Sequence, residues 1–273
     1  MKTEIMQDGV AISGDRWASR QNRIVRLLRE RGIAGIVGEL RARGFAGSLA
    51  MLSGQLRYAL CIVAGNRWDR RYGVETGGNI QLATLNVVGG NKALGAPAVS
   101  TSPKTFRHLS RYFPADRKSC TYIDLGAGKG RTLFLAALAG FRKVIGVEFS
   151  AELCAAAGRN IETFRDGQDA QIAIKHADAT LYRFPETDLV LYFGNPFALE
   201  LWPAMIANLR ESFAANPRAM TIVIAGSEPQ TINGAGALLS RCPEFHTLGA
   251  GRAPYFLDTY KPYWYQCFAA RPS

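Results

Sequence analysis

The stretch Thr121–Ala137, TYIDLGAGKGRTLFLAA, constrains the fold more than any other part of the chain. A short apolar run ends in Asp124, passes glycines at 126, 128 and 130, and enters an apolar pattern with helical spacing. A strand that turns tightly through glycines into a helix N-terminus is how doubly wound α/β folds hold nucleotide-like ligands. The glycine spacing narrows the choice of ligand. The dinucleotide fingerprint G-x-G-x-x-G needs a glycine at position 131, where this chain has Arg131, so a nicotinamide oxidoreductase is disfavoured.

The pattern after this motif alternates between strand and helix. Strands are predicted at Tyr122–Leu125, Lys143–Glu148, Gln171–His176, Asp188–Phe193, Ala219–Ala225 and Tyr263–Ala270, with another near Phe245–Leu248. Helices are predicted at Pro103–Phe113, Arg131–Ala139, Ala151–Phe164 and Leu199–Phe213. Such alternation implies a doubly wound, mostly parallel seven-stranded sheet with helices on both faces. It occupies residues 103–273. Residues 1–66 read as a basic helical extension, with amphipathic spacing from Arg16 to Arg31 and Gly32 as its cap. Residues 67–102 are too rich in glycine for a long regular element and form a connector.

Composition excludes several function classes. The five cysteines are scattered without a C-x-x-C pair and the three histidines lie far apart, which argues against a disulfide framework or a metal site. The polar start MKTEIMQDGV lacks the apolar core of a secretory signal, so a cytoplasmic location is expected. Gln55 and Arg57 interrupt the apolar stretch between Gly44 and Gly65, and no membrane span is expected. The net charge is +11, and residues 1–75 hold 13 of the 33 basic side chains against 7 of the 22 acidic ones. That bias suits an acidic partner, a lipid headgroup or simple solubility. No nucleic-acid module or dense Lys/Arg tract accompanies it, so nucleic acid is not the expected partner. Oligomeric state is not legible.

The D-x-G-x-G-x-G spacing resembles the first motif of the Rossmann-like, class I methyltransferases that use S-adenosylmethionine. D-R-R-Y-G-V-E-T-G-G from Asp69, V-I-G-V-E-F-S from Val144 and N-P-F from Asn195 extend the likeness to about Asp69 through the C-terminus. They are similar to a bacterial group distantly related to Rossmann-type protein-lysine methyltransferases. The resemblance implies an antiparallel final strand and a cofactor site at Asp124, Gly126, Ala127, Gly128, Gly130, Glu148 and Asp178. Asp124 would meet the methionine ammonium, and Asp178 the adenine amine. Glu148, ending its strand, is placed for the ribose hydroxyls, as the equivalent acid is in dinucleotide folds. Tyr72 and Thr76 would form a lid.

Asn195-Pro196-Phe197 resembles the N-P-P-Y/F loop of methyltransferases that act on nitrogen. A nitrogen nucleophile needs carbonyl acceptors to hold its hydrogens and aim its lone pair. The Asn195 side chain and the Gly194 or Asn195 backbone carbonyl would provide them, Pro196 would fix the turn, and Phe193 and Phe197 would form an apolar aromatic pocket. One departure affects the rim: where relatives carry Tyr-x-Pro-Thr-Pro, this chain has Ala98-Val-Ser-Thr-Ser102 and keeps only Thr101. The expected activity is N-methylation of a protein side chain such as lysine. A small-molecule acceptor and a non-catalytic cofactor-binding protein are the alternatives.

Overall fold

The computed structural model describes residues 23–80, 86–88, 98–167, 169–195, 197–254, 258–259 and 261–271. The part of the first expected helix before residue 23, much of the connector and Pro196 lie outside the described residues.

Seven strands form the main sheet: β1 (Thr121–Leu125), β2 (Lys143–Glu148), β3 (Gln171–His176), β4 (Leu189–Gly194), β5 (Met220–Gly226), β6 (His246–Arg252) and β7 (Trp264–Ala270). Their order is β3-β2-β1-β4-β5-β7-β6. The first five are mutually parallel. β7 runs antiparallel between β5 and β6, the insertion implied by the resemblance. The direction of winding reverses between β1 and β4, and ligands bind at the carboxyl ends of the strands flanking such a switch.

Side-chain alternation along each strand builds two cores. Tyr122, Val190 and Tyr192 face Phe106 of α2 (Pro103–Leu109) and Leu133 of α3 (Arg131–Leu138). Ile123, Leu191 and Phe193 face Trp202 and Met205 of α5 (Trp202–Ala215) and Ile232 of α6 (Pro229–Leu239). Each large apolar side chain fully withdrawn from water contributes about 1.5–3 kcal/mol, and β1 is buried along its whole length. α4 (Ala151–Thr163) starts where the Ser150 hydroxyl accepts the Leu153 amide at 3.2 Å, a side-chain cap for an otherwise unpaired donor.

The N-terminal helix α1 (Arg23–Tyr72) breaks helical geometry at Gly32 and Gly44, whose φ values are +63° and +66°. It runs past residue 66 and closes at Gly73 (φ +71°), with the Val74 amide bonded to the Asp69 carbonyl at 3.0 Å. That six-to-one closure needs a left-handed residue at Gly73. Contrary to the sequence expectation, Ala46–Tyr72 is long and apolar enough to cross a membrane by length and composition. Gln55 and Arg57 dilute its apolar character too little to prevent this.

Candidate active site

β1 delivers Asp124 into the reversal point, in register with Gly146 on β2 and Tyr192 on β4. The side chain is 3% exposed. One carboxylate oxygen accepts the Thr132 hydroxyl; the other has no hydrogen-bond partner among the described residues. Burial, opposed by that hydrogen bond and reinforced by Glu148, raises its pKa to about 7. A buried acceptor left without a donor is costly, and a ligand ammonium would satisfy it. This is the observation by which the site fits an aminoacyl-bearing cofactor.

The turn after β1 needs its glycines. Gly126, Gly128 and Gly130 have φ values of +104°, +55° and +90°, in the region that L-residues with a Cβ avoid. Gly128 donates its amide to Glu148 Oε2 at 2.8 Å, and Ser150 donates to Oε1 at 3.0 Å. These bonds fix Glu148 at the end of β2, while burial lifts its pKa above the usual carboxylate range. Ala127 and Gly126 both donate to the Val147 carbonyl, closing the loop over the second strand. In Gly130→Ala, the new Cβ would meet Leu133 Cδ1 at 3.3 Å at a left-handed position. The expected cost is about 1–2 kcal/mol, read in a thermal melt, together with weaker cofactor binding by calorimetry.

Arg131, the residue that disqualified a dinucleotide fingerprint, has a structural task. Its guanidinium pairs with Asp69 at 3.0 Å and donates through Nε to Thr76 Oγ1 at 2.6 Å, both partners being buried. Asp69 also accepts the Thr76 hydroxyl at 2.6 Å and the amides of Thr76 and Gly77 at 2.8 and 2.9 Å. Arg131 further lies over the Trp68 ring at 5.5 Å. Asn160 on α4 accepts the Glu75 amide at 2.7 Å and donates to the Lys129 carbonyl at 3.0 Å. Lys129 in turn donates to the Gly77 carbonyl at 3.0 Å. The motif D-R-R-Y-G-V-E-T thus clamps the glycine loop from outside. Sequence reading noticed the motif but missed this partnership, whose signal was an acid and a base without evident use in two adjacent motifs.

At the end of β4, Asn195 is the only described non-glycine residue with a left-handed backbone, φ +52°. Its Oδ1 accepts the Ser227 amide at 3.2 Å, its Nδ2 reaches the Ser227 hydroxyl at 3.5 Å, and its own amide bonds to the Ala225 carbonyl at 3.0 Å. The side chain lies where a Cβ on Gly226 would otherwise sit. Phe193 and Phe197 do not form the expected open pocket. Alternation turns Phe193 toward α5, and both rings pack on Trp202, at 4.9 and 5.2 Å between centroids. Both are buried. The opposite face presents hydroxyls: Tyr192 and Thr101 at 2.9 Å, with Tyr263 3.5 Å from Thr101.

The remaining candidates separate. Asp178 follows β3 and caps a short turn, accepting the Thr180 amide and hydroxyl at 2.9 and 2.7 Å. Thr76 is buried in the clamp, and Tyr72 packs between Trp68 and Phe164 at 4.8 and 6.0 Å. His176 ends β3, with Nε2 3.1 Å from the Phe149 carbonyl. Asp188 sits at the amino end of β4, where it accepts the Ala219 amide, away from the carboxyl ends of the strands. An open cleft of about 400 Å³ between Lys118, Gly140, Arg142 and Asp166 also lies at that amino-terminal edge. Among the described residues, no three His, Cys, Asp or Glu side chains gather as metal ligands.

This strand order with a glycine turn after β1 defines a Rossmann-like ligand-binding domain. Residues 123–216 match the family model described as "Methyltransferase domain". Over that third of the chain the protein is similar to methyltransferase domains, whose cofactor is S-adenosylmethionine. No curated protein matches the chain. Among solved structures, a candidate RNA methyltransferase from Pyrococcus horikoshii is 14% identical, with 79% of this chain and 98% of that one covered and a TM-score of 0.48. TrmN from Thermus thermophilus is 18% identical, with 62% and 49% covered and a TM-score of 0.48. Magnesium protoporphyrin IX methyltransferase from Synechocystis is 16% identical, with 62% and 79% covered and a TM-score of 0.45.

Proposed function

We propose that this enzyme methylates a nitrogen of a protein side chain, with lysine as the preferred acceptor. The observation that carries the reading is Asn195, a left-handed asparagine at the carboxyl end of β4 beside Asp124's strand. Strained non-glycine backbone is kept where the surrounding structure and function require it. S-adenosylmethionine supplies the electrophilic methyl group. In this reading Asp124 Oδ1 takes the cofactor's ammonium, Glu148 its ribose, Asp178 its adenine amine, and the glycine turn admits its carboxylate to the start of α3. The Gly194 carbonyl and Asn195 Oδ1 hold the acceptor's hydrogens and orient its lone pair. Phe197 anchors the end of this loop to the core through Trp202. Thr76, and behind it Tyr72, shape the loop from outside.

A small-molecule acceptor is the second reading. It is favoured by the hydroxyls of Thr101, Tyr192 and Tyr263 beside Gly194, where an apolar aromatic wall was expected.

The test uses methyl-labelled S-adenosylmethionine, the pure enzyme and a cell lysate. Acid-stable label in protein that hydrolyses to methyl-lysine supports the first reading, and label confined to small molecules supports the second. Label in nucleic acid overturns both. Asn195→Ala is expected to lower turnover by at least about 100-fold with little change in cofactor affinity. Asn195→Gly keeps the backbone conformation without the amide and should be equally inactive. Turnover retained in the glycine variant would remove the side chain from the acceptor site.

A further inference from the structure

Among the described residues, the outward face of α1 carries large apolar side chains that stay exposed. Leu49, Leu52, Leu56, Leu60 and Val63 are each 43–63% exposed. At ~100° per residue they fall within an arc of about 80°, a continuous apolar stripe four turns long. The opposite side of the same helix is engaged: Cys61 Sγ donates to the Asp258 carbonyl at 3.2 Å, and Asp69 belongs to the clamp around Arg131. The helix is therefore held to the enzyme along one side while presenting leucines on the other.

The charge around the stripe is predominantly positive. Residues 23–72 contain ten arginines, no lysine and three acids, and one acid, Asp69, is committed to Arg131. Arg31 and Arg41 are exposed before the stripe, and Arg67, Arg70 and Arg71 after it. A second copy of the chain would set arginine against arginine in either orientation, over only five apolar side chains. Such a patch is small for a stable dimer. An anionic surface meets both demands at once, since arginine stems lie along apolar material while their heads reach phosphates.

We propose that α1 binds an anionic phospholipid bilayer, lying in its interface with Leu49, Leu52, Leu56, Leu60 and Val63 turned into the lipid. The helix lies on the membrane rather than crossing it, because Cys61 and Asp69 keep its inner side bonded to the folded domain. This placement is independent of the methyl acceptor.

Flotation of the full-length protein with vesicles tests it. Binding is expected to phosphatidylcholine vesicles containing about one-third phosphatidylglycerol and not to phosphatidylcholine alone. It should weaken severalfold as salt rises from about 0.1 to 0.5 M. The variant Leu56→Glu/Leu60→Glu, altered only at exposed positions, is expected to bind these vesicles at least tenfold more weakly while its S-adenosylmethionine affinity is unchanged. Arg67→Glu/Arg71→Glu tests the charge separately and should also bind more weakly. Equal affinity of wild type and the leucine variant, or no flotation with anionic vesicles, overturns the proposal. So does a concentration-dependent dimer that the leucine variant dissociates, which would assign the stripe to a second copy.

Discussion

Arg131→Ala is expected to cost about 3–5 kcal/mol of stability, because it leaves the Asp69 carboxylate buried without its cation. Both side chains are under 10% exposed, and Asp69 still has three donors from Thr76 and Gly77. Those donors satisfy its lone pairs but do not balance its charge. For a chain of this size the loss corresponds to a fall in melting temperature of roughly 10 °C. Asp69→Ala strands the guanidinium instead and should cost a similar amount. The double variant Asp69→Ala/Arg131→Ala should be less destabilised than the two single losses combined, by about 1–3 kcal/mol. Strict additivity in that cycle would show that the contact contributes no coupling. Cofactor affinity should fall in both single variants, since the clamp sets the shape of the loop that Gly128 and Gly130 turn.

Asp124→Asn is expected to do two opposite things: stabilise the cofactor-free protein at pH 8 and weaken S-adenosylmethionine binding on the order of 100-fold. Burial raises the pKa of Asp124 to about 7, against about 4 for an exposed aspartate. A carboxyl whose folded-state pKa is raised holds its proton more tightly folded than unfolded. Its contribution to stability is complete below about pH 4 and is lost as the pH climbs through about 7. A shift of three units corresponds to about 4 kcal/mol. The asparagine variant loses this slope, so its melting temperature should overtake that of the wild type between pH 5 and 8. Cofactor affinity of the wild type should rise over the same interval, because the ammonium favours the ionised carboxyl, and binding below pH 7 should release a proton. Melts across pH and calorimetry in two buffers of different ionisation enthalpy measure both effects. An asparagine variant that binds like the wild type, or is the less stable one at pH 8, would sink this account of Asp124.

The sheet was legible because its buried strands are apolar runs bounded by turns. Lys143–Glu148 and Gln171–His176 were read to the residue. α6 was missed: PQTINGAGALL carries two glycines and an asparagine, poor helix formers, and it is helical because Ile232, Ala235 and Leu239 reach the core at helical spacing. The glycine loop and Glu148 were visible as spacing. The roles of Phe193 and Phe197 were not, since which way an aromatic ring turns depends on the strand's register against α5, and Trp202 takes up both. Asp69 and Arg131 stand 62 residues apart, and nothing local marks such a pair. Tyr192 and Thr101, separated by 91 residues, were hidden for the same reason.

The position of Asp69 in the final turn of α1 also decides how small this enzyme can be made. Shortening the chain from its front takes away the exposed leucines of α1 and the Cys61–Asp258 contact before the cut reaches Trp68 and Asp69. Past that residue a guanidinium is left facing a hydrophobic interior with no counterion. The minimal active piece therefore includes the helix's last turn and starts ahead of Trp68. The catalytic domain drawn by its sheet alone would be too short.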